Sequence, residues 1–251
     1  MTRGESTAVV TSPRRRIVLM RHGAVDYFPE HGAPAAPDTV ALSATGRAQA
    51  DAAGALFAAE GTRFDLAITS DLPRTAQTAA RVLATAGQQP RTEAVPALRE
   101  IRGGPLSDIA PQQIEATFTG AFAAGTDLES RRFLGGESIG QMLDRVLPAF
   151  EALLARRDWQ CLLLVLHGAV NRAILSRALT GGRAFLGSIE QSPACINLLD
   201  VGRRSIIVRS INLAPTQWLH EGERSTTMET LLAQYRRFRD AQPGTTPSPA
   251  A

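Results

Sequence analysis

The run Ile17-Val18-Leu19-Met20-Arg21-His22-Gly23 decides the reading of this chain, because a short apolar stretch breaks off into a cation, an imidazole and a glycine. Four successive aliphatic residues without a 3.6-residue period predict a strand buried on both faces. The pattern recurs twice. Leu66-Ala67-Ile68-Thr69 runs into Ser70-Asp71-Leu72-Pro73-Arg74-Thr75, and the apolar run from Cys161 to Leu166 ends in His167-Gly168. Helical patterns lie between and after these runs: from a cap at Ser43 to about 60, over 74–86, over 139–156 and over 170–179. Two late strands, 196–201 and 205–211, predict a hairpin turned at Gly202. A last helix, 227–240, puts Met228, Leu231, Leu232, Tyr235 and Phe238 on one face, suited to docking on the domain or on a partner.

Alternating strands and helices predict an α/β three-layer sandwich: a mainly parallel central sheet with helices on both faces. Ligands of such sheets bind at the carboxyl ends of the strands. Arg21-His22, Arg74 and His167 stand at three such ends, so the sequence predicts that two arginines and two histidines meet in one crevice.

Composition narrows the classes. The 251 residues, 44% of them apolar, supply the core of one domain, expected over 14–241, with 107–134 as a lid or insert. Flexible tails are expected over 1–13 and 242–251. All 27 basic residues are arginine, which excludes Schiff-base, Walker and Ser-Lys lysine chemistry. A net charge of +3, with short clusters at Arg14-Arg15-Arg16 and Arg236-Arg237 that lack interleaved aromatics, reads as solvated surface and not as a nucleic-acid footprint. Cys161 and Cys195, far apart among apolar residues, read as buried free thiols of a reducing compartment. Without a signal-peptide pattern or a membrane-length apolar run, the expected setting is cytoplasmic, with no membrane partner. A homodimer is left open.

The cluster suits a phosphate ester. A guanidinium fork matches phosphate oxygens bidentately and stays charged. Each cation–anion contact is worth on the order of 4 kcal/mol at about 4 Å and an effective dielectric near 20, before desolvation. The same cations disfavour imidazolium at His22, leaving a lone pair for attack. His167, and backbone N–H groups at a helix start near Gly168, could stabilise charge on the transferred group.

Residues 17–23 resemble the signature of the histidine phosphatase superfamily, which includes the phosphoglycerate mutases. Ser70 to Ala79 is similar to its second arginine motif, Leu98-Arg99-Glu100-Ile101 to its proton-donor segment, and Gly135-Gly136-Glu137-Ser138 to another familiar stretch. His167-Gly168 followed by Arg172 resembles the second-histidine motif, and the matches keep the family's order from Ile17 to about Leu213. The resemblance implies a metal-independent hydrolase, without a cofactor, acting on a small phosphorylated substrate. His22 would form a phosphohistidine, Arg21, Arg74 and His167 would bind the phosphoryl oxygens, and Glu100 would give and then retake a proton.

The chain departs from that pattern at the rim. The mutases carry Arg-His-Tyr-Gly after the proton donor, where this chain has Ile101-Arg102-Gly103-Gly104-Pro105, which argues against mutase activity. The family phosphatases' Gly-x-Trp-Glu-Gly is absent, and Phe28 stands where a phosphate-contacting asparagine often lies. Tyr27, Phe28 and 111–133, with Phe118 and Phe122, read equally as an apolar lid or as core.

Three rivals remain. A serine hydrolase would use Ser138, in Gly136-Glu137-Ser138-Ile139-Gly140, with Asp200 and His220, but the elbow lacks its buried strand and a helix start explains Glu137 and Ser138 better. A non-catalytic phospholigand-binding module would need the arginines but not His22 with Glu100. Metal-dependent hydrolysis finds only isolated His31 and His220.

Overall fold

The computed structural model describes residues 14–29, 33–123, 125, 127–220 and 222–241, so both expected tails and His31 lie outside the described residues. Six strands form one sheet: β1 (Arg15–Arg21), β2 (Leu66–Thr69), β3 (Arg91–Ala94), β4 (Cys161–Leu166), β5 (Ile196–Val201) and β6 (Ile206–Leu213), in the order β3-β2-β4-β1-β5-β6. β1, β2, β3 and β4 run parallel, while β5 is antiparallel to both neighbours. The helices are α1 (Ala44–Ala59), α2 (Pro73–Thr85), α3 (Ile114–Thr119), α4 (Ile139–Ala155), α5 (Gly168–Thr180) and α6 (Thr227–Asp240). The result is the expected three-layer α/β architecture.

Strand alternation builds two cores. Ile17 and Leu19 of β1, in register with Leu162 and Leu164 of β4, pack beneath α4 and α5 against Met142, Val146, Phe150, Val170 and Ile174. Val18 and Met20, with Leu163 and Val165, face Ala50, Ala53 and Phe57 of α1 and Ala79 and Val82 of α2. Burial on both faces is why these strands read as unbroken apolar runs. At about 1.5–3 kcal/mol per buried aliphatic side chain, this double burial fixes the sheet and hence where its carboxyl ends lie.

β3 had no sequence signature. Its residues, Arg-Thr-Glu-Ala, are mostly exposed, and as an edge strand it pairs only with β2, so nothing selects an apolar alternation there. α3 also escaped, being six residues long.

A third apolar cluster lies above the sheet. Ile114, Phe118, Ala121 and Leu134 bury themselves against Met228, Leu232 and Tyr235 of α6, with Phe28, Phe122 and Phe133 half-buried against them. Phe118 stacks on Tyr235 at 5.9 Å between ring centroids, and Phe28 meets the same tyrosine edge-on at 5.4 Å. α6 therefore docks on its own chain. The lid and core readings of these aromatics meet here: they are a small core that roofs the carboxyl ends of the strands. Among the described residues no helix is long and apolar enough to cross a membrane.

Candidate active site

Arg21 is the last residue of β1, and His22 follows in the crevice, only 3% exposed. Gly23 is demanded by contact, since a Cβ there would stand 2.4 Å from the Gly46 carbonyl oxygen in α1. The helix thus backs onto the strand end and fixes the chain on which His22 is mounted. His22 Nδ1 lies 2.7 Å from the Gly23 carbonyl oxygen. A carbonyl only accepts, so Nδ1 carries the proton of the neutral ring and Nε2 keeps its lone pair. Burial, then the nearby Arg74 and Arg21, push the His22 pKa well below the ordinary imidazole range.

Arg74 sits in the first turn of α2, 2% exposed, with Pro73 opening the helix. Its guanidinium donates to the Pro37 carbonyl, and its Nε has no hydrogen-bond partner among the described residues. Arg21 donates from Nη1 to Gln191 O and, at 3.1 Å, to Thr227 Oγ1; its Nε is likewise buried and unpartnered.

His167 follows β4 and packs edge-on against His22, ring centroids 5.3 Å apart. Its Nε2 is 2.8 Å from Ser70 Oγ, and its Nδ1 is buried without a partner. Ser70 Oγ also lies 3.0 Å from Thr75 Oγ1, whose hydroxyl donates to carbonyls including Leu72 O at 2.8 Å. Burial, Arg74, His22 and Arg21 all lower this histidine's pKa as well. Among the described residues three buried nitrogens, Nε of Arg21, Nε of Arg74 and Nδ1 of His167, are thus left without a partner around His22.

Glu100 closes the cluster from the loop after β3. Its carboxylate accepts from the Ala169 N–H at the start of α5, 3.2 Å to each oxygen, and from Ile101 N at 3.0 Å. The helix N-terminus expected to face an anion therefore holds Glu100. A Cβ on Gly168 would lie 3.6 Å from Glu100 Oε2 and 3.7 Å from Arg21 Nε, so acid and cation flank one point. The five residues singled out from the sequence, Arg21, His22, Arg74, Glu100 and His167, surround one cavity of about 500 Å³; all but the fully buried His167 line it directly.

Arg145 and Glu137 were not anticipated as parts of this site. Arg145, from α4, donates to both Glu137 oxygens at 2.8 Å and to the carbonyls of Ala97, Arg99 and Glu100 at 2.9, 2.6 and 3.1 Å. Burial pushes the Glu137 carboxyl up, but its bonds to Arg145 and to the Arg102 N–H outweigh this and hold it below the usual range. The pair clamps the Glu100 loop. The altered segment after Glu100 is pinned too: Gly104 N donates to Leu134 O at 3.0 Å, and a Cβ on Gly136 would stand 2.3 Å from Arg102 O. The only sequence signal for this clamp was Glu137 beside a helix cap with an arginine two turns on.

The residues of the rival triad are dispersed. Ser138 caps α4, accepting from Gln141 N. Asp200 is paired with Arg16 and Arg209, and His220 lies 2.9 Å from the Asn212 carbonyl and 3.5 Å from Ser192. Among the described residues no group of three or more His, Cys, Asp or Glu side chains could hold a metal ion. Both cysteines are free; Cys195 is buried but Cys161 only half-buried, and burial raises their pKa values to about 12 and about 11.

Known proteins share this arrangement of chain. A 2,3-bisphosphoglycerate-dependent phosphoglycerate mutase of Xanthobacter autotrophicus is 32% identical over 169 residues, 64% of this chain and 79% of that one. Among solved structures, mycobacterial glucosyl-3-phosphoglycerate phosphatase with inorganic phosphate matches with a TM-score of 0.61 and 25% identity, over 80% of this chain and 98% of that one. An α-ribazole phosphatase of Shigella flexneri has the same fold, with a TM-score of 0.58 at 23% identity over 78% and 96% of the two chains. The family model that matches residues 17–214 spans all five of the converging side chains and both segments that clamp them, and by it the chain belongs to the histidine phosphatase superfamily, branch 1.

Proposed function

We propose that this chain hydrolyses a small phosphomonoester in two steps, without a metal, through a phosphohistidine on His22. The observation that carries the reading is the hydrogen bond from His22 Nδ1 to Gly23 O, which leaves Nε2 as a buried lone pair among cations. A module that only binds phosphate has no use for an imidazole held in that tautomer.

In the first step the Nε2 lone pair forms a P–N bond as the P–O bond to the alcohol breaks. Arg21 Nε, Arg74 Nε and His167 Nδ1 hold the phosphoryl oxygens, and Glu100 gives its proton to the departing oxygen. In the second step water attacks phosphorus, Glu100 takes the water's proton, and the P–N bond breaks to regenerate His22. Two guanidinium charges supply the electrostatic stabilisation. Hydrolysis is favoured over phosphoryl transfer between two phosphoglycerates by the segment Ile101-Arg102-Gly103-Gly104-Pro105, whose glycine backbone packs on Leu134–Gly136 and brings only Arg102 as a new cation.

The test is phosphate release from a phosphomonoester panel, with mass spectrometry of the quenched enzyme at neutral pH. Phosphate on His22 in single turnover, turnover abolished in His22→Ala, and a rate untouched by EDTA are expected. Tight binding of esters without release would instead make this a phospholigand-binding module, and inhibition by EDTA that added metal reverses would remove the metal-free mechanism.

A further inference from the structure

Above the phosphoryl donors the cavity changes character. Its upper walls are Phe28, Phe122, Phe133 and Leu134 with Met228 and Leu231 of α6. Phe28, Phe122, Phe133 and Leu231 are only half-buried by the protein, so the third cluster leaves apolar surface facing the space where a leaving group would sit. The aromatics are ordered: the Arg172 guanidinium lies 4.9 Å over Phe122, and Phe122 stacks on Phe133 at 5.4 Å with 12° between the rings. Phe133 ends that stack at the cavity wall.

The polar groups near this space are already engaged. Arg99 is held by both oxygens of Asp71, Arg172 by Glu190 at 3.1 Å, and Thr227 Oγ1 lies between Arg21 and Glu190. Arg102 and Asp38, one of each sign, and Tyr27 remain. A sugar or a second carboxylate would have to desolvate its polar atoms against hydrocarbon, which is unfavourable unless each finds a partner. A cavity of about 500 Å³ falls in the size range that encloses a whole small ligand.

We infer that the ester hydrolysed here carries an apolar alcohol, a ring or hydrocarbon body without a second acidic group, and that Phe133, Leu231, Met228 and Phe28 set this specificity. The inference rests on the phosphatase reading above and names its substrate class.

The test is kcat/KM for the n-alkyl phosphates from methyl to hexyl, with benzyl phosphate, glycerol 3-phosphate and 3-phosphoglycerate alongside. Leaving-group basicity is nearly constant along the alkyl series, so its slope reports burial alone. Each methylene entering the cavity should raise kcat/KM by about 2- to 4-fold, with benzyl phosphate far ahead of both polar esters. Leu231→Gln should flatten the slope. A flat or falling series, or preference for 3-phosphoglycerate, while p-nitrophenyl phosphate is still hydrolysed in a His22-dependent way, overturns the inference and spares the phosphatase reading. No His22-dependent release from any ester overturns both.

Discussion

Replacing Arg145 with Gln tests whether the clamp on the Glu100 loop serves catalysis. Arg145 makes five hydrogen bonds, two to Glu137 and three to the carbonyls of Ala97, Arg99 and Glu100, and the two side chains are 23% and 6% exposed. Breaking a buried ion pair by removing one partner costs about 3–5 kcal/mol. With the arginine a quarter open to solvent, about 3 kcal/mol of stability should be lost, read by chemical denaturation. The effect on rate runs through Glu100, whose carbonyl loses its anchor. A misplacement of about 1 Å costs on the order of 100-fold, and a general acid is worth about 10²–10⁴-fold. Hydrolysis of an alkyl phosphate, whose leaving oxygen needs a proton, should therefore fall about 30- to 100-fold in kcat/KM, which reports the first step alone. For p-nitrophenyl phosphate, whose leaving group needs none, kcat/KM should fall less than about 3-fold, while hydrolysis of the shared intermediate slows for both. Arg145→Gln combined with Glu100→Gln should be no slower than Glu100→Gln alone, because both act on one proton transfer. Equal losses on the two substrates, or additive losses in the double variant, would refute the claim that Arg145 acts through Glu100.

Other consequences are quicker to state. His22 and His167 are held neutral by burial and neighbouring cations, so as pH falls below about 6.5 the unfolded chain takes up protons that the native one refuses, and stability drops. For one such histidine the loss between pH 7 and pH 5 is about 2 kcal/mol; urea denaturation of His22→Asn should show a drop smaller than wild type by that amount, and an identical drop would contradict a neutral His22. Gly23→Ala puts a Cβ 2.4 Å from Gly46 O and should cost about 1–3 kcal/mol by the same assay, with loss of turnover. Ser70→Ala removes the hydroxyl that holds His167 Nε2 and should lower kcat about 3- to 30-fold with little change in KM; a change in KM alone would make Ser70 merely structural.

The parts legible in the sequence were those under double burial. β2, β4 and β5 begin and end where the apolar runs place them, because a strand covered on both faces admits no other composition, and α6 was legible instead from its one apolar face. The strand ends then located Arg21, His22, Arg74 and His167. β3 was illegible since an exposed edge imposes no pattern, and the clamp of Arg145 and Glu137 was illegible since its function lies in binding main-chain carbonyls of a remote loop, which leaves no mark on local periodicity. The seat of Glu100 at the start of α5 depends likewise on a contact 69 positions away in the chain.

Arginine-rich composition hid the decisive fact, which is the difference among arginines. Arg145 is matched by Glu137, Arg172 by Glu190, Arg16 by Asp200, and each of those cations is balanced where it stands. Arg21 and Arg74 are not. Among the described residues their hydrogen bonds go to neutral oxygens, of Gln191, Thr227 and Pro37, and neither has a carboxylate within ion-pair distance. A buried cation without a counter-ion is unfavourable, and here two converge on one crevice. Together with burial, the larger cause, they keep both histidines neutral, and the charge that would offset them is a dianion placed between the guanidinium groups. On the proposed mechanism the same imbalance prepares the nucleophile and selects the group it attacks, so removing either arginine should weaken phosphate binding and at the same time raise the His22 pKa.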